Sequence, residues 1–300
     1  MGGPSSEREI SLKSGAAVLE SLQGAGVDAV AVDIKTDDVR QNSSLIRSLN
    51  IDCAFLALHG RFGEDGQIQK LLEDLKILYT CSGVLASKLA MDKIASRRIF
   101  EKNGLHVPKY KVLEKTSGDG DIQKPDNFNF PVVVKPASHG SSIGLSIVDE
   151  EKALPTALDL AFSYDERIIV EEYISGREIT VGILDNKALP VIEIVPKKRF
   201  FDYEAKYQAG KTDYILPAQL PEGIAVKAQS DALFAHKLLG CAGCSRADMI
   251  LGKNNLDYIL EINTIPGLTK TSLLPKAARF VGIEFSQMCL KLIELAYEKA

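Results

Sequence analysis

Two apolar runs near the start of the chain, Val27–Asp33 and Ile51–Leu58, have the length and branching of strands. Around them, hydrophobic residues recur at helical spacing, at Leu12, Ala16 and Leu19, and again at Ile68, Leu71, Leu72 and Leu75. Strands alternating with helices predict a parallel sheet covered on both faces. This first unit is expected over residues 1–86. The opening Met1-Gly2-Gly3-Pro4-Ser5-Ser6-Glu7-Arg8 reads as a loop that should follow a strand, although no strand stands ahead of it.

The pattern then changes. One helix is predicted over Ser87–Asn103, leading into a unit over residues 87–177. Pro131–Pro136, Leu145–Val148 and Arg167–Ile174 read as strands, and Ala153, Leu154, Ala157, Leu158 and Ala161 as a helix. Residues 178–300 form the third expected unit, with strands at Ile179–Leu184 and Leu189–Val195 and a polar, aromatic segment from Pro196 to Ile215. A helix over Pro221–Leu239 precedes a hairpin that turns in Gly252-Lys253-Asn254-Asn255. The last helix carries Phe285, Met288, Cys289, Leu292 and Ala296 as a core stripe.

Composition narrows the function classes. A net charge of −4 with scattered lysines gives no footprint for nucleic acid. No apolar run is long enough to cross a membrane and no signal peptide is evident, so the cytoplasm is the expected location. Five cysteines do not suggest an oxidised framework. Cys241-Ala242-Gly243-Cys244 has metal or redox spacing, but no second pair or nearby histidine completes a zinc set, so structural cysteines are expected.

The candidate chemistry lies in the hairpin. Alternate residues of a strand share a face, so Arg246 goes with Asp248 and Glu261 with Asn263. A turn near Asn254-Asn255 sets Asp248 opposite Glu261 and Arg246 opposite Asn263. Hard oxygen ligands and one guanidinium on one face suit Mg²⁺ beside an anionic substrate. Gly140-Ser141-Ser142-Ile143-Gly144 is either a tight hairpin loop or a phosphate clamp. Lys135, ending an apolar strand, and Lys93 are candidate cationic contacts, Lys93 equally a solvated lysine. The apolar connector Ile168–Ile174 offers a floor for an aromatic ring or a simple packing surface, with Glu178 just beyond.

Taken in order, Gly2–Leu12, Leu58-His59-Gly60-Arg61-Phe62-Gly63-Glu64-Asp65-Gly66, Met91-Asp92-Lys93, Phe201–Tyr207, the hairpin and Glu261-Ile262-Asn263 resemble the D-alanine–D-alanine ligase family across nearly the whole chain. The resemblance implies an α/β and α+β protein, with an N-terminal α/β parallel-sheet domain followed by a two-part ATP-grasp fold that holds ATP between two sheets. It implies that Lys93 and Lys135 contact ATP phosphates. Glu171, Glu172, Tyr173, Ile174 and Glu178 would line the adenosine pocket, and Asp248, Glu261 and Asn263 would hold two Mg²⁺ or Mn²⁺ ions. Glu7 would bind the first D-alanine's ammonium with His59 nearby, and Ser272 and Leu273 would meet the second D-alanine's carboxylate. Arg246 and the Gly267 N–H would stabilise the oxyanion.

By the same resemblance, Pro196–Ile215 is a lid. Lys206 would reach the γ-phosphate, and Tyr207 would bond Ser141 and Glu7. Tyr207 is the dipeptide-forming residue at that position, whereas Phe201 and Cys81 depart from the family pattern, which often has tyrosine and glycine there. The implied activity joins two D-alanines for peptidoglycan precursor synthesis, in a homodimer. A D-alanine–D-lactate ligase and an inactive ATP-binding regulatory protein stay open as alternatives.

Overall fold

The computed structural model describes residues 1–115, 128–197 and 211–299. Its N-terminal part contains α1 (Arg8–Gly24), α2 (Val39–Arg47), β1 (Cys53–Ala54), α3 (Gln67–Leu75) and β2 (Leu78–Tyr79), and β1 pairs with β2 in parallel. The two apolar runs are less regular than their composition predicts. Only Cys53–Ala54 of the second run joins a ladder, and Val27–Asp33 forms none. The opening residues, expected as a loop, lie parallel to the end of the first run instead. The terminal ammonium donates to the Val32 carbonyl at 2.9 Å, and the Gly3 and Ile34 N–H groups bond Ile34 and Met1 carbonyls. Burial lowers that ammonium's pKa to about 6. A cavity of about 350 Å³ is lined by residues of both apolar runs.

Helix α1 forms as predicted, but on a rotated face. Its buried residues are Ser11, Ser14, Gly15, Val18 and Leu22, whereas Ala16 is exposed. The reason is polar. Ser11 Oγ accepts the His59 backbone N–H at 2.8 Å, and Ser14 Oγ lies 2.9 Å from the His59 ring, so small residues face inward.

The single helix expected over Ser87–Asn103 is two, α4 (Val84–Met91) and α5 (Lys93–Lys102). Asp92 interrupts them in an extended conformation and caps α5, its carboxylate accepting the N–H groups of Ile94 and Ala95. The break makes Lys93 the first residue of α5. Four antiparallel strands follow, β3 (Tyr110–Glu114), β4 (Val132–Pro136), β5 (Ser146–Val148) and β6 (Arg167–Glu172), in the order β3-β6-β4-β5. Helix α6 (Leu154–Phe162) covers one face through Leu154, Leu158 and Ala161.

The last sheet contains β7 (Gly176–Leu184), β8 (Lys187–Ala188), β9 (Ile192–Pro196), β10 (Thr212–Ile215), β11 (Cys244–Gly252) and β12 (Asp257–Asn263). Its order is β10-β9-β7-β11-β12, with β8 beside β7. The final four residues of the segment Pro196–Ile215, expected as part of the lid, pair with β9 as an edge strand. Helices α7 (Glu222–Leu238), α8 (Leu273–Phe280) and α9 (Phe285–Glu298) complete the fold. The α9 stripe is buried at Met288, Cys289, Leu292 and Ala296. It shares one apolar cluster with Val18, Leu58, Phe62, Cys244 and Leu274, so the N-terminal part and the last sheet have a common core.

Gly63 marks a tight point in that core. A Cβ there would lie 2.2 Å from the Leu58 carbonyl oxygen, a backbone atom with no rotamer to change. Gly63→Ala should therefore lower unfolding free energy by about 2 kcal/mol or more, read as an earlier urea midpoint. An unchanged midpoint would contradict this packing.

Candidate active site

Strands β11 and β12 pair so that Asp248 lies opposite Glu261 and Arg246 opposite Asn263, the register expected from the sequence. The turn alone does not produce it. Gly252 N–H bonds the Leu256 carbonyl, and pairing from there runs Leu251 with Asp257, Ile250 with Tyr258 and Met249 with Ile259. Continued unchanged, this ladder would set Asp248 against Leu260. One extra residue on β12, between Ile259 and Glu261, shifts the register. This bulge turns Glu261 and Asn263 to the face that carries Asp248 and Arg246.

That face is a wall between two cavities. Asp248 and Glu261 line one, of about 140 Å³, and Arg246 and Asn263 line the other, of about 320 Å³. Across the wall, Arg246 holds Asp248 through two bonds of 2.8 and 2.7 Å, and Asn263 Nδ2 donates to Asp248 at 3.0 Å. Thr180 on β7 lies 2.7 Å from the other Asp248 oxygen. Every oxygen of this buried carboxylate is engaged.

The smaller cavity also gathers Lys93, Lys135, Ser142, Glu171, Glu172, Tyr173, Ile174 and Glu178. Lys93 Nζ donates to the His139 carbonyl at 2.7 Å and lies 3.2 Å from Glu261, so it is not the solvated lysine of the alternative reading. Lys135 Nζ lies 2.8 Å from Glu171, and Arg97 pairs with the same carboxylate from α5. Burial lowers the Lys135 pKa to about 8. Burial works against ionised Glu171, but the charges of Arg97 and Lys135 outweigh it and hold its pKa below the ordinary value. The Glu171 carboxylate thus anchors Lys135. The Glu172 side chain likewise turns to the Lys109 N–H at 3.0 Å.

Among the described residues, no cluster of three or more His, Cys, Asp or Glu side chains forms a closed metal cage. The donor set is two carboxylates and one amide. Hard oxygens in that small number suit Mg²⁺, which retains waters and shares phosphate oxygens rather than filling a protein cage. Both carboxylates already face cations, Asp248 the guanidinium and Glu261 the Lys93 ammonium. The residues fit such an ion.

The larger cavity is lined by Glu7, His59, Glu64, Ser141, Gly267, Ser272 and Leu273 as well as Arg246. Ser141 lies in the loop joining antiparallel β4 and β5, at φ 54°, and its hydroxyl donates to Glu7. The loop is thus a hairpin connection, with Ser141 turned to Glu7 and Ser142 to the smaller cavity. His59 Nδ1 lies 3.0 Å from the Ile265 carbonyl, which can only accept, so Nδ1 carries the proton and Nε2 accepts from Ser14. Burial lowers the His59 pKa. This neutral ring ties α1 to the loop that carries Gly267. Ser272 starts α8, and the helix N-terminus there suits an anion.

Family models described as "D-ala D-ala ligase C-terminus" and "D-ala D-ala ligase N-terminus" match residues 99–294 and 35–82. The chain belongs to the D-alanine–D-alanine ligase family. It is 48% identical to a D-alanine–D-alanine ligase of Geobacter sulfurreducens over 98% of this chain and 91% of that protein. Identity to the ligase of Geotalea uraniireducens is 49%, over 99% and 94%. The crystal structure of the Bacillus anthracis ligase complexed with ATP superposes with a TM-score of 0.87 at 34% identity, covering 100% of this chain and 96% of that one. The VanG D-Ala:D-Ser ligase of Enterococcus faecalis gives 0.85 at 31%, covering 99% and 97%. These likenesses bear out the mixed α/β, ATP-grasp architecture expected of a family member.

Lys206, Tyr207, Phe201 and their neighbours in 198–210 lie outside the described residues. Two residues in this family member carry structural weight that sequence reading passed over. Arg97 follows Lys93 by four positions on one helix face, a spacing that could have pointed to it. Glu64 sits inside the glycine-rich loop noted for the family resemblance, and it accepts N–H bonds from Gly60 at 2.7 Å and Ile265 at 3.2 Å.

Burial, with the Glu7 charge second, raises the Glu64 pKa from 4.5 to about 8. The folded protein therefore holds this proton where the unfolded chain has released it. Stability should fall as pH rises from about 4.5 to about 8, then level off with respect to this group. In Glu64→Gln that contribution to the slope should vanish, measured by chemical denaturation at several pH values. Identical pH profiles for the two proteins would exclude a protonated Glu64.

Proposed function

We propose that this chain joins two D-alanines at the expense of ATP, giving D-alanyl-D-alanine, ADP and phosphate. The observation that carries the reading is the β11–β12 wall, with carboxylates facing one cavity and Arg246 with Asn263 facing the other. An ATP-dependent carboxylate–amine ligase needs this division, because phosphoryl transfer and amide formation share one carboxyl group. The relatives' names point the same way.

In this reading, Tyr173 and Ile174 receive the adenine, while Lys93 and Lys135 face the phosphates and Glu178 the ribose. Asp248, Glu261 and Asn263 would hold Mg²⁺ or Mn²⁺, which when bound neutralises charge on the transferring phosphoryl group. Glu7 binds the ammonium of the first D-alanine, oriented by Ser141. The D-alanine carboxylate attacks the γ-phosphate to give D-alanyl phosphate. The amine of the second D-alanine, held by its carboxylate at Ser272 and Leu273, then attacks the acyl carbon. Arg246 and the Gly267 N–H stabilise the oxyanion before phosphate leaves. Lys206 and Tyr207 complete the set as γ-phosphate contact and lid anchor. The three units at 1–86, 87–177 and 178–300 and a homodimer belong to the same reading.

Glu261→Gln should reduce Mg²⁺-dependent ADP formation on the order of 10²-fold or more, with the fold retained by circular dichroism. Near-normal turnover would remove Glu261 from the metal set. The acceptor needs a separate assay, since the E. faecalis relative is a D-Ala:D-Ser ligase. With ATP, Mg²⁺ and D-alanine, the expected product is the dipeptide, little altered by equimolar D-serine or D-lactate. Dominant D-alanyl-D-serine or depsipeptide would overturn the D-alanine acceptor. ATP binding without release of ADP or phosphate would instead support a regulatory protein.

A further inference from the structure

The spacing Cys241-Ala242-Gly243-Cys244 suggests that these two cysteines belong together, but the fold pairs Cys244 differently. Its sulfur lies 3.6 Å from that of Cys81, a residue 163 positions away, and both side chains are buried. Cys81 follows β2 and belongs to the N-terminal part, whereas Cys244 opens β11. Their backbones are also close. A Cβ on Gly243 would meet the Cys81 Cα at 3.1 Å. Lys299 adds a cation here, since its ammonium donates to the Cys81 carbonyl.

We propose that Cys81 and Cys244 form an oxidisable dithiol, converted by a hydroperoxide to a disulfide that joins the N-terminal part to the last sheet. A hydroperoxide is the oxidant class, because one molecule supplies the two-electron oxidation that a disulfide requires. The Cys81 thiolate attacks the peroxide oxygen, the O–O bond breaks, and Cys81 becomes a sulfenic acid. Cys244 sulfur then attacks Cys81 sulfur and loses its proton as water leaves. With hydrogen peroxide, two thiols and one peroxide give one disulfide and two waters. The order of events follows from the pair's electrostatics. The hydrogen bond from Cys244 lowers the Cys81 pKa and raises that of Cys244, and Lys299 further favours the thiolate.

The bond would close a long loop and lie two residues before Arg246. It would therefore fix Glu7, His59 and Glu64 against the sheet that carries Arg246. The test is to treat the reduced protein with hydrogen peroxide, block remaining thiols with N-ethylmaleimide and map peptides without reduction. The expected result is one cross-link between residues 81 and 244, reversed by dithiothreitol. The thermal midpoint of the cross-linked form should rise by about 5 °C or more. Cys81→Gly, which suits the φ of 70° at that position, and Cys244→Ala should each abolish both changes. Free thiols at both positions, a different pairing, or a cross-link with no higher midpoint would overturn the proposal; the map on the unsubstituted chain decides even if a variant fails to fold.

Discussion

The single residue inserted in β12 between Ile259 and Glu261 is the constraint on which the site depends. Strand side chains alternate, so a register slip of one position exchanges the two faces of a sheet. Without the bulge, Glu261 and Asn263 would point away from Asp248 and Arg246; Arg246 and Thr180 would still hold Asp248, but Asn263 would lose its bond to Asp248 and Glu261 its contact with Lys93. Leaving a buried polar group without its hydrogen-bond partner costs about 1–3 kcal/mol. The network of Arg246, Asn263 and Thr180 around Asp248 and the bulge therefore stabilise one another. On its other edge β11 pairs with β7, which brings Glu178 to the cavity shared with Asp248.

Where the sequence was legible, the reason was local. The opposition of Asp248 with Glu261 could be read because a two-residue period and a turn-rich segment are short-range properties. Even there, the turn lies one register away from the simple hairpin, and the bulge supplies the difference. Helix α9 was equally legible, since an apolar stripe needs only one burying partner. Helix α1 was not. Its inward face is chosen by Ser11 and Ser14 bonding His59, a contact across more than 40 positions that no hydrophobic period encodes. The division at Asp92 shows the converse case, a capping carboxylate overriding a continuous helical pattern.

The site residues divide in the same way. Lys93, Lys135 and Glu178 around one cavity could be singled out from their places on a helix, at a strand end and just beyond the connector, whereas the grouping of Glu7, Ser141 and Ser272 around another was implied by family resemblance. What the resemblance did not convey is how the charges are held before any ligand arrives. Glu171 read as pocket lining, yet its carboxylate is enclosed between Arg97 and Lys135. His59 read as a neighbour of substrate, yet both ring nitrogens are committed to Ser14 and Ile265. Such roles depend on tertiary hydrogen bonds, and the responsible partners are scattered through the chain.

These committed charges explain how a cleft rich in acids and bases can be stable while open. Asp248 is matched by Arg246, Glu261 by Lys93 and Glu171 on β6 by two cations, so these carboxylates around the smaller cavity do not face one another unscreened. Glu64 is the exception. It has no cation within bonding distance among the described residues, and Glu7 stands near it, so it meets the same electrostatic demand by keeping its proton. In the proposed reading, where Glu7 receives the ammonium of the first D-alanine, a neutral Glu64 leaves no second charged carboxylate from that loop beside it. The protonation of Glu64 thus removes from the larger cavity a charge that its neighbours could not match.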